Sequence, residues 1–70
     1  MKKLITLAKE LDFTTEIEYF DYCIDSHING NLIQCEDLFE AMKKQDRLAL
    51  IKYIDNSEIR NFYIDFSFKL

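Results

Sequence analysis

The chain has 70 residues, of which 49% are hydrophobic, 14% aromatic and 31% charged, and its formal net charge is −4. We expect a single domain over residues 1–70, because the aromatic and apolar content excludes a disordered chain. No apolar run approaches the length of about 18 residues that a membrane-spanning helix requires, so we predict no membrane association.

The first residues have the basic start of a secretion signal but lack its apolar length. Lys2 and Lys3 precede a short apolar run that Lys9 interrupts, whereas a signal peptide needs an apolar region of about 7–15 residues. We therefore expect a cytoplasmic protein. In that compartment Cys23 and Cys35 are expected to be reduced, partly buried thiols rather than a disulfide.

Hydrophobic spacing and capping signals predict the first two helices. Apolar residues at helical spacing predict a helix over residues 3–11. Thr15 with Glu18 three residues later is a capping box that begins the second helix. Gly30 ends that helix, because glycine suits the left-handed C-cap. The apolar stripes are Leu4, Leu7, Ala8 and Leu11 in the first helix, and Ile17, Phe20, Ile24 and Ile28 in the second.

Two further helices follow the glycine. Asn31 can cap a third helix, with Gln34 in the reciprocal position. Lys43 and Lys44 are predicted in its last turn, where cations suit the helix dipole. Asp46 is predicted to cap a fourth helix that is apolar over a wide arc and ends at an Asp-Asn-Ser segment. The apolar residues are Cys35, Leu38, Phe39 and Met42 in the third helix, and Leu48, Leu50, Ile51, Tyr53 and Ile54 in the fourth.

Residues 58–70 fit two secondary structures. Phe62, Ile64 and Phe66 alternate with polar or tyrosine side chains, which is typical of a strand. Apolar residues also recur at helical spacing after Ser57, and no second strand is available to pair with a lone one. The predicted fold class is therefore all-α, a compact bundle of about four helices with a C-terminal segment that is helix or lone strand.

Cysteine and histidine offer weak candidates for chemistry. Cys23 and His27 lie on one helical face, and Cys35 begins the next helix. A zinc site needs about four ligands, and only Glu36 or Asp37 could be forced into the fourth position. A catalytic thiolate would need positive surroundings, whereas Cys23 lies in the most acidic part of the chain. We therefore predict no metal, no cofactor and no enzymatic activity.

The charge is distributed unevenly along the chain. No Lys or Arg lies between Lys9 and Lys43, which predicts one strongly negative surface. The nine acids of this segment are Glu10, Asp12, Glu16, Glu18, Asp21, Asp25, Glu36, Asp37 and Glu40. The basic cluster of Lys43, Lys44 and Arg47 permits a small DNA-binding regulator as a second alternative, although the acidic surroundings disfavour nucleic-acid binding.

The back of the second helix is the predicted recognition surface. Tyr19 and Tyr22 lie opposite its apolar stripe with acids beside them, and Tyr is enriched at interfaces. The opposing interpretation is a central helix with both faces buried. We predict a protein-binding adaptor or inhibitor that presents this acidic, Tyr-bearing surface to a basic partner. Its partner-binding residues are Glu18, Tyr19, Asp21, Tyr22 and Asp25. The first alternative is a homo-oligomer, such as a homodimer, assembled through the aromatic C-terminal segment.

Short segments within residues 16–54 carry a resemblance to known proteins. They are Glu18-Tyr19-Phe20-Asp21-Tyr22, Ile28-Asn29-Gly30-Asn31, Leu38-Phe39 with Met42, and Lys52-Tyr53-Ile54. Together they resemble small helical proteins encoded by bacteriophages and other mobile elements. The resemblance implies an all-helical accessory protein and no known activity, and it does not account for the C-terminal segment.

Overall fold

A computed structural model describes residues 2–70, and within them it contains five α-helices and no strand. The helices are Leu4–Glu10 (α1), Glu16–Ile28 (α2), Leu32–Ala41 (α3), Lys44–Tyr53 (α4) and Ser57–Ser67 (α5). α2 packs against α1 and α3, and α4 packs against α5. The all-α prediction is confirmed.

The strand alternative for the C-terminal segment is wrong, because this segment forms α5. α5 begins at Ser57, and the Asn56 side chain caps it by accepting a hydrogen bond from the Ile59 amide at 3.0 Å. Ile59, Tyr63 and Phe66 are buried on one face. Their spacing is helical, so burial in the core decides between the two periodicities that the sequence permits.

The predicted turns around α2 are confirmed. The Thr15 hydroxyl accepts a hydrogen bond from the Glu18 amide at 3.3 Å, and the Glu18 carboxylate accepts one from the Thr15 amide at 3.0 Å. Gly30 has a φ of +76°, the left-handed conformation that favours glycine. The Asn31 side chain then caps α3 by accepting a hydrogen bond from the Gln34 amide at 3.2 Å.

The predicted junction between the third and fourth helices is wrong by a few residues. α3 ends at Ala41, so Lys43 and Lys44 do not lie in its last turn. α4 begins at Lys44, and Asp46 lies inside its first turn instead of capping it. An acidic residue in the first turn also interacts favourably with the positive end of the helix dipole, which explains why Asp46 suits this position.

The buried face of α2 is rotated from the predicted stripe. Ile17 and Ile28 are 47% and 66% exposed, whereas Tyr19, Cys23 and Ser26 are buried. This rotation is possible because the buried hydroxyls find partners. Tyr19 donates to the Leu38 carbonyl at 2.7 Å, and Ser26 donates to a carbonyl of its own helix at 2.8 Å.

The core lies where α2, α3 and α5 meet. Phe39 packs against Tyr63 with ring centroids 5.2 Å apart, and Met42 and Leu50 are fully buried beside this cluster. The Tyr63 hydroxyl donates to the Cys23 carbonyl at 2.7 Å, which ties α5 to α2. Within residues 2–70, every buried side-chain nitrogen or oxygen has a hydrogen-bond partner.

Candidate partner-binding surface

The outward face of α2 combines acidic and apolar side chains. Ile17, Asp21, Asp25 and Ile28 are all exposed, and their spacing places them along one side of the helix. We call these four residues the α2 outer surface. The surface therefore offers two carboxylates with exposed apolar area at either end, so both charged and apolar groups are available to a partner.

Tyr53 of α4 extends this surface. Its hydroxyl donates to the Asp21 carboxylate at 2.7 Å, and its ring lies 5.5 Å from that of Phe20. Asp21, Tyr53 and Asp55 line one groove of about 290 Å³. The hydrogen bond to the Asp21 carboxylate, followed by burial, raises the pKa of Tyr53. The phenol therefore stays neutral and directs a hydroxyl and an aromatic ring towards a groove with two carboxylates.

The prediction that Tyr19 lies on the exposed recognition surface is wrong. Its side chain is only 1% exposed, and burial raises the pKa of its phenol. Tyr22 is half-buried, accepts a hydrogen bond from the Gln34 side-chain amide and packs edge-on against Phe13 at 5.6 Å. Both rings join α2 to its neighbours because α2 is central, so they do not share a face with Asp21 and Asp25.

Glu18 is engaged in the start of α2. Its carboxylate accepts hydrogen bonds from the Thr14 hydroxyl at 2.7 Å and from the Thr14 and Thr15 amides at 3.1 and 3.0 Å. The bonds from Thr14 have the largest effect, and together these bonds lower the pKa of Glu18. The carboxylate is therefore already satisfied locally, and Asp21 and Asp25 are the acids of the predicted set that face solvent.

Few of the other acids between Lys9 and Lys43 are neutralised by a basic side chain. All nine are exposed or half-exposed, and residues 2–70 contain one ion pair, between Lys2 and Glu10. Glu10 and Asp37 line a groove of about 320 Å³ between α1 and α3. Glu16 and Asp46 line a third groove, of about 250 Å³, together with Lys3 and Lys43, so the uncompensated negative region ends there. Helices α1 to α3 therefore carry a largely uncompensated negative charge.

The two thiols are core residues. Cys23 and Cys35 are fully buried and free, and the Cys35 thiol donates weakly to the Cys23 carbonyl at 3.9 Å. Burial raises the pKa of Cys23 to about 12, which opposes a reactive thiolate. The His27 ring packs 4.9 Å from that of Phe62. No cluster of three or more potential metal ligands occurs within residues 2–70.

The basic residues of α4 have mixed roles. The Arg47 guanidinium donates to the Phe39 and Glu40 carbonyls at 3.1 and 2.9 Å, and lies 5.7 Å from the centre of the Phe39 ring. It thus neutralises the C-terminal end of α3, where backbone carbonyls lack helical partners. Lys44 and Lys52 are exposed. The DNA-binding alternative stays a prediction.

Sequence reasoning missed Tyr53 and Asp55 as members of this surface. The apolar spacing of α4 assigned Tyr53 to its buried arc, but Tyr53 is exposed at the end of the helix. No local signal pairs it with Asp21, which lies 32 residues away. The local sequence shows only that Tyr53 lies near the end of a helix and that Asp55 follows it two residues later.

No protein-family model, curated protein or solved structure matches this chain. The resemblance to phage and mobile-element proteins therefore stays a prediction. No helix within residues 2–70 combines the length and the apolar character needed to cross a membrane.

Proposed function

We propose that this chain is a small protein-binding accessory protein, an adaptor or inhibitor, that presents an acidic surface to a basic partner. The observation that carries the proposal is the composition of the α2 outer surface, which holds Asp21 and Asp25 between exposed Ile17 and Ile28. Tyr53 beside it supplies the aromatic contact that the sequence had suggested for Tyr19 and Tyr22.

The chemistry of the surface favours arginine or lysine side chains of a partner. A guanidinium can pair with the Asp21 or Asp55 carboxylate and lie against the Tyr53 ring, which combines a charge-assisted hydrogen bond with a cation–π contact. The exposed isoleucines add apolar area, which supports binding to a folded protein better than attraction to charge alone. The buried thiols give no support to an enzymatic role.

Binding of a fluorescein-labelled arginine-rich peptide, followed by anisotropy, tests the proposal. Asp21→Lys with Asp25→Lys should remove most of the binding, and added salt should weaken binding to the unsubstituted chain. Glu58→Lys with Asp65→Lys is the matched control, because both residues are exposed on α5 and the change in net charge is the same.

The control pair separates a local surface from general attraction. We expect it to retain most of the peptide binding. Equal losses for the two pairs would mean that the peptide responds only to net charge, and the proposal would then be wrong.

A further inference from the structure

A second groove lies between α4 and the turn that follows α5, away from the α2 outer surface. Its volume is about 410 Å³, and its apolar side chains are Leu48, Ile51, Phe68 and Leu70. Phe68 is 85% exposed, and Leu48 and Leu70 are each 51% exposed. Large apolar side chains gathered at one concave place are typical of a protein-interaction site.

The charge around this groove differs from that of the other grooves. Lys44 and Arg47 line it, and none of its described lining residues is acidic. The three grooves described above each include at least one carboxylate. In a chain with a net charge of −4, this groove is therefore a local positive site with an apolar floor.

Arg47 is held in place before any partner arrives. Its two hydrogen bonds to the last turn of α3 fix the guanidinium, and they use only part of its N–H donors. A fixed guanidinium loses little side-chain freedom when it binds a carboxylate, so this arrangement favours an acidic ligand.

We propose that this groove docks an acidic amphipathic segment of a partner protein. Large apolar side chains of the segment fill the space between Leu48 and Phe68, and its Asp or Glu side chains pair with Lys44 and Arg47. A symmetric pair of copies would instead place like charges together, because each copy presents the same patch. The proposal does not depend on the α2 outer surface. It gives the chain two docking surfaces of opposite charge.

The probe is a fluorescein-labelled helical peptide of about 15 residues with Leu at helical spacing and Glu elsewhere. We expect it to bind, and we expect Leu48→Ser or Phe68→Ser to weaken binding about tenfold. Lys44→Glu should weaken binding about threefold. A second peptide with Lys in place of Glu tests whether the groove requires acidic residues. If this Lys peptide binds the chain at all, its affinity should be the same for Leu48→Ser as for the unsubstituted chain.

Matched controls lie outside the groove. Ile33→Ser removes an apolar side chain that is 75% exposed, and Lys52→Glu reverses an exposed charge on the same helix as Lys44. Both should bind the Glu peptide as the unsubstituted chain does. Circular dichroism establishes that every variant remains helical.

Three results would overturn the proposal. They are absence of binding to the Glu peptide, binding that Leu48→Ser and Phe68→Ser leave unchanged, and a doubling of the molar mass by light scattering that Phe68→Ser abolishes. The last result would assign the groove to a second copy of this chain.

Discussion

The interior where α2, α3 and α5 meet and the groove beside α4 use the same kinds of side chain differently. In the interior, Phe39 and Tyr63 are fully buried, and the Tyr63 hydroxyl has a carbonyl partner on α2. In the groove, Leu48, Phe68 and Leu70 are more than half exposed. The first region accounts for the stability of the fold, whereas the second offers apolar area that the chain itself leaves uncovered.

This comparison shows that aromatic content alone does not distinguish core residues from residues available to a partner. The homo-oligomer alternative assigns the aromatic C-terminal segment to assembly between copies, whereas Ile59, Tyr63 and Phe66 of this segment are buried in the core of their own chain. Within residues 58–70, the exposed aromatic side chain is Phe68, in the turn after α5. Substitutions in the two regions should therefore have separable effects on stability and on binding.

The largest expected effect is on the interior. Phe39→Ala should lower the free energy of unfolding by about 3–5 kcal/mol, because it removes a fully buried ring and leaves a cavity. Urea unfolding followed by circular dichroism measures it. Ile33→Ala, at an exposed position, should change the free energy by less than about 0.5 kcal/mol. A loss below about 1 kcal/mol for Phe39→Ala would contradict the assignment of this core.

A smaller effect distinguishes a buried hydroxyl from an exposed one. Tyr63→Phe should lower the free energy of unfolding by about 1 kcal/mol, because the Cys23 carbonyl loses a donor but keeps its place in the α2 backbone. Tyr53→Phe should lower it much less, since its hydrogen bond to Asp21 is exposed to water. Both values come from the same urea experiment, and equal losses would count against the distinction.

Acid should weaken the start of α2. The folded-state pKa of Glu18 lies below the ordinary value of 4.5, mainly because of hydrogen bonds from Thr14, so its ionised carboxylate stabilises the fold. This stabilisation is present above about pH 4.5 and is lost as the pH falls through the lowered pKa. The melting temperature should therefore fall more steeply below this pH in the unsubstituted chain than in Glu18→Gln. If the melting temperatures of the two chains fell in parallel with pH, the capping role of Glu18 would be contradicted.

The smallest expected effect is on stability at the groove. Leu48→Ser and Phe68→Ser should each change the free energy of unfolding by less than about 1 kcal/mol, because Leu48 is half exposed and Phe68 is 85% exposed. Thermal melts of the peptide-binding variants measure this. A loss above about 1.5 kcal/mol would mean that the groove is structural, and the contrast with the interior would fail.

Signals that act within a few residues could be predicted from the sequence. The Thr15–Glu18 box, the Gly30 turn and the Asn31 cap all depend on groups at most a few positions apart. Such bonds join groups that are already close along the chain, so the local sequence is enough to predict them. The first four helices followed from these signals and from apolar spacing, whereas the choice between helix and strand for the C-terminal segment stayed open.

Features that depend on distant residues could not be predicted. The rotation of α2 is fixed by Tyr19 bonding to Leu38 and by Tyr63 reaching Cys23. Both contacts join separate helices, and no sequence period encodes which side of α2 they will meet. The same reason explains why Tyr19 was expected at the surface and Tyr53 in the interior.

The bond between Tyr63 and Cys23 also determines when the fold can be completed. The helix pairs that pack most closely are neighbours along the chain, and such local contacts form within about microseconds to milliseconds. Tyr63 lies 40 residues beyond Cys23. A ribosome adds about 5–20 residues per second, so the earlier helices must wait, with their apolar faces open, until α5 has been synthesised. Until then we expect the nascent chain to expose apolar surface that favours aggregation and chaperone binding.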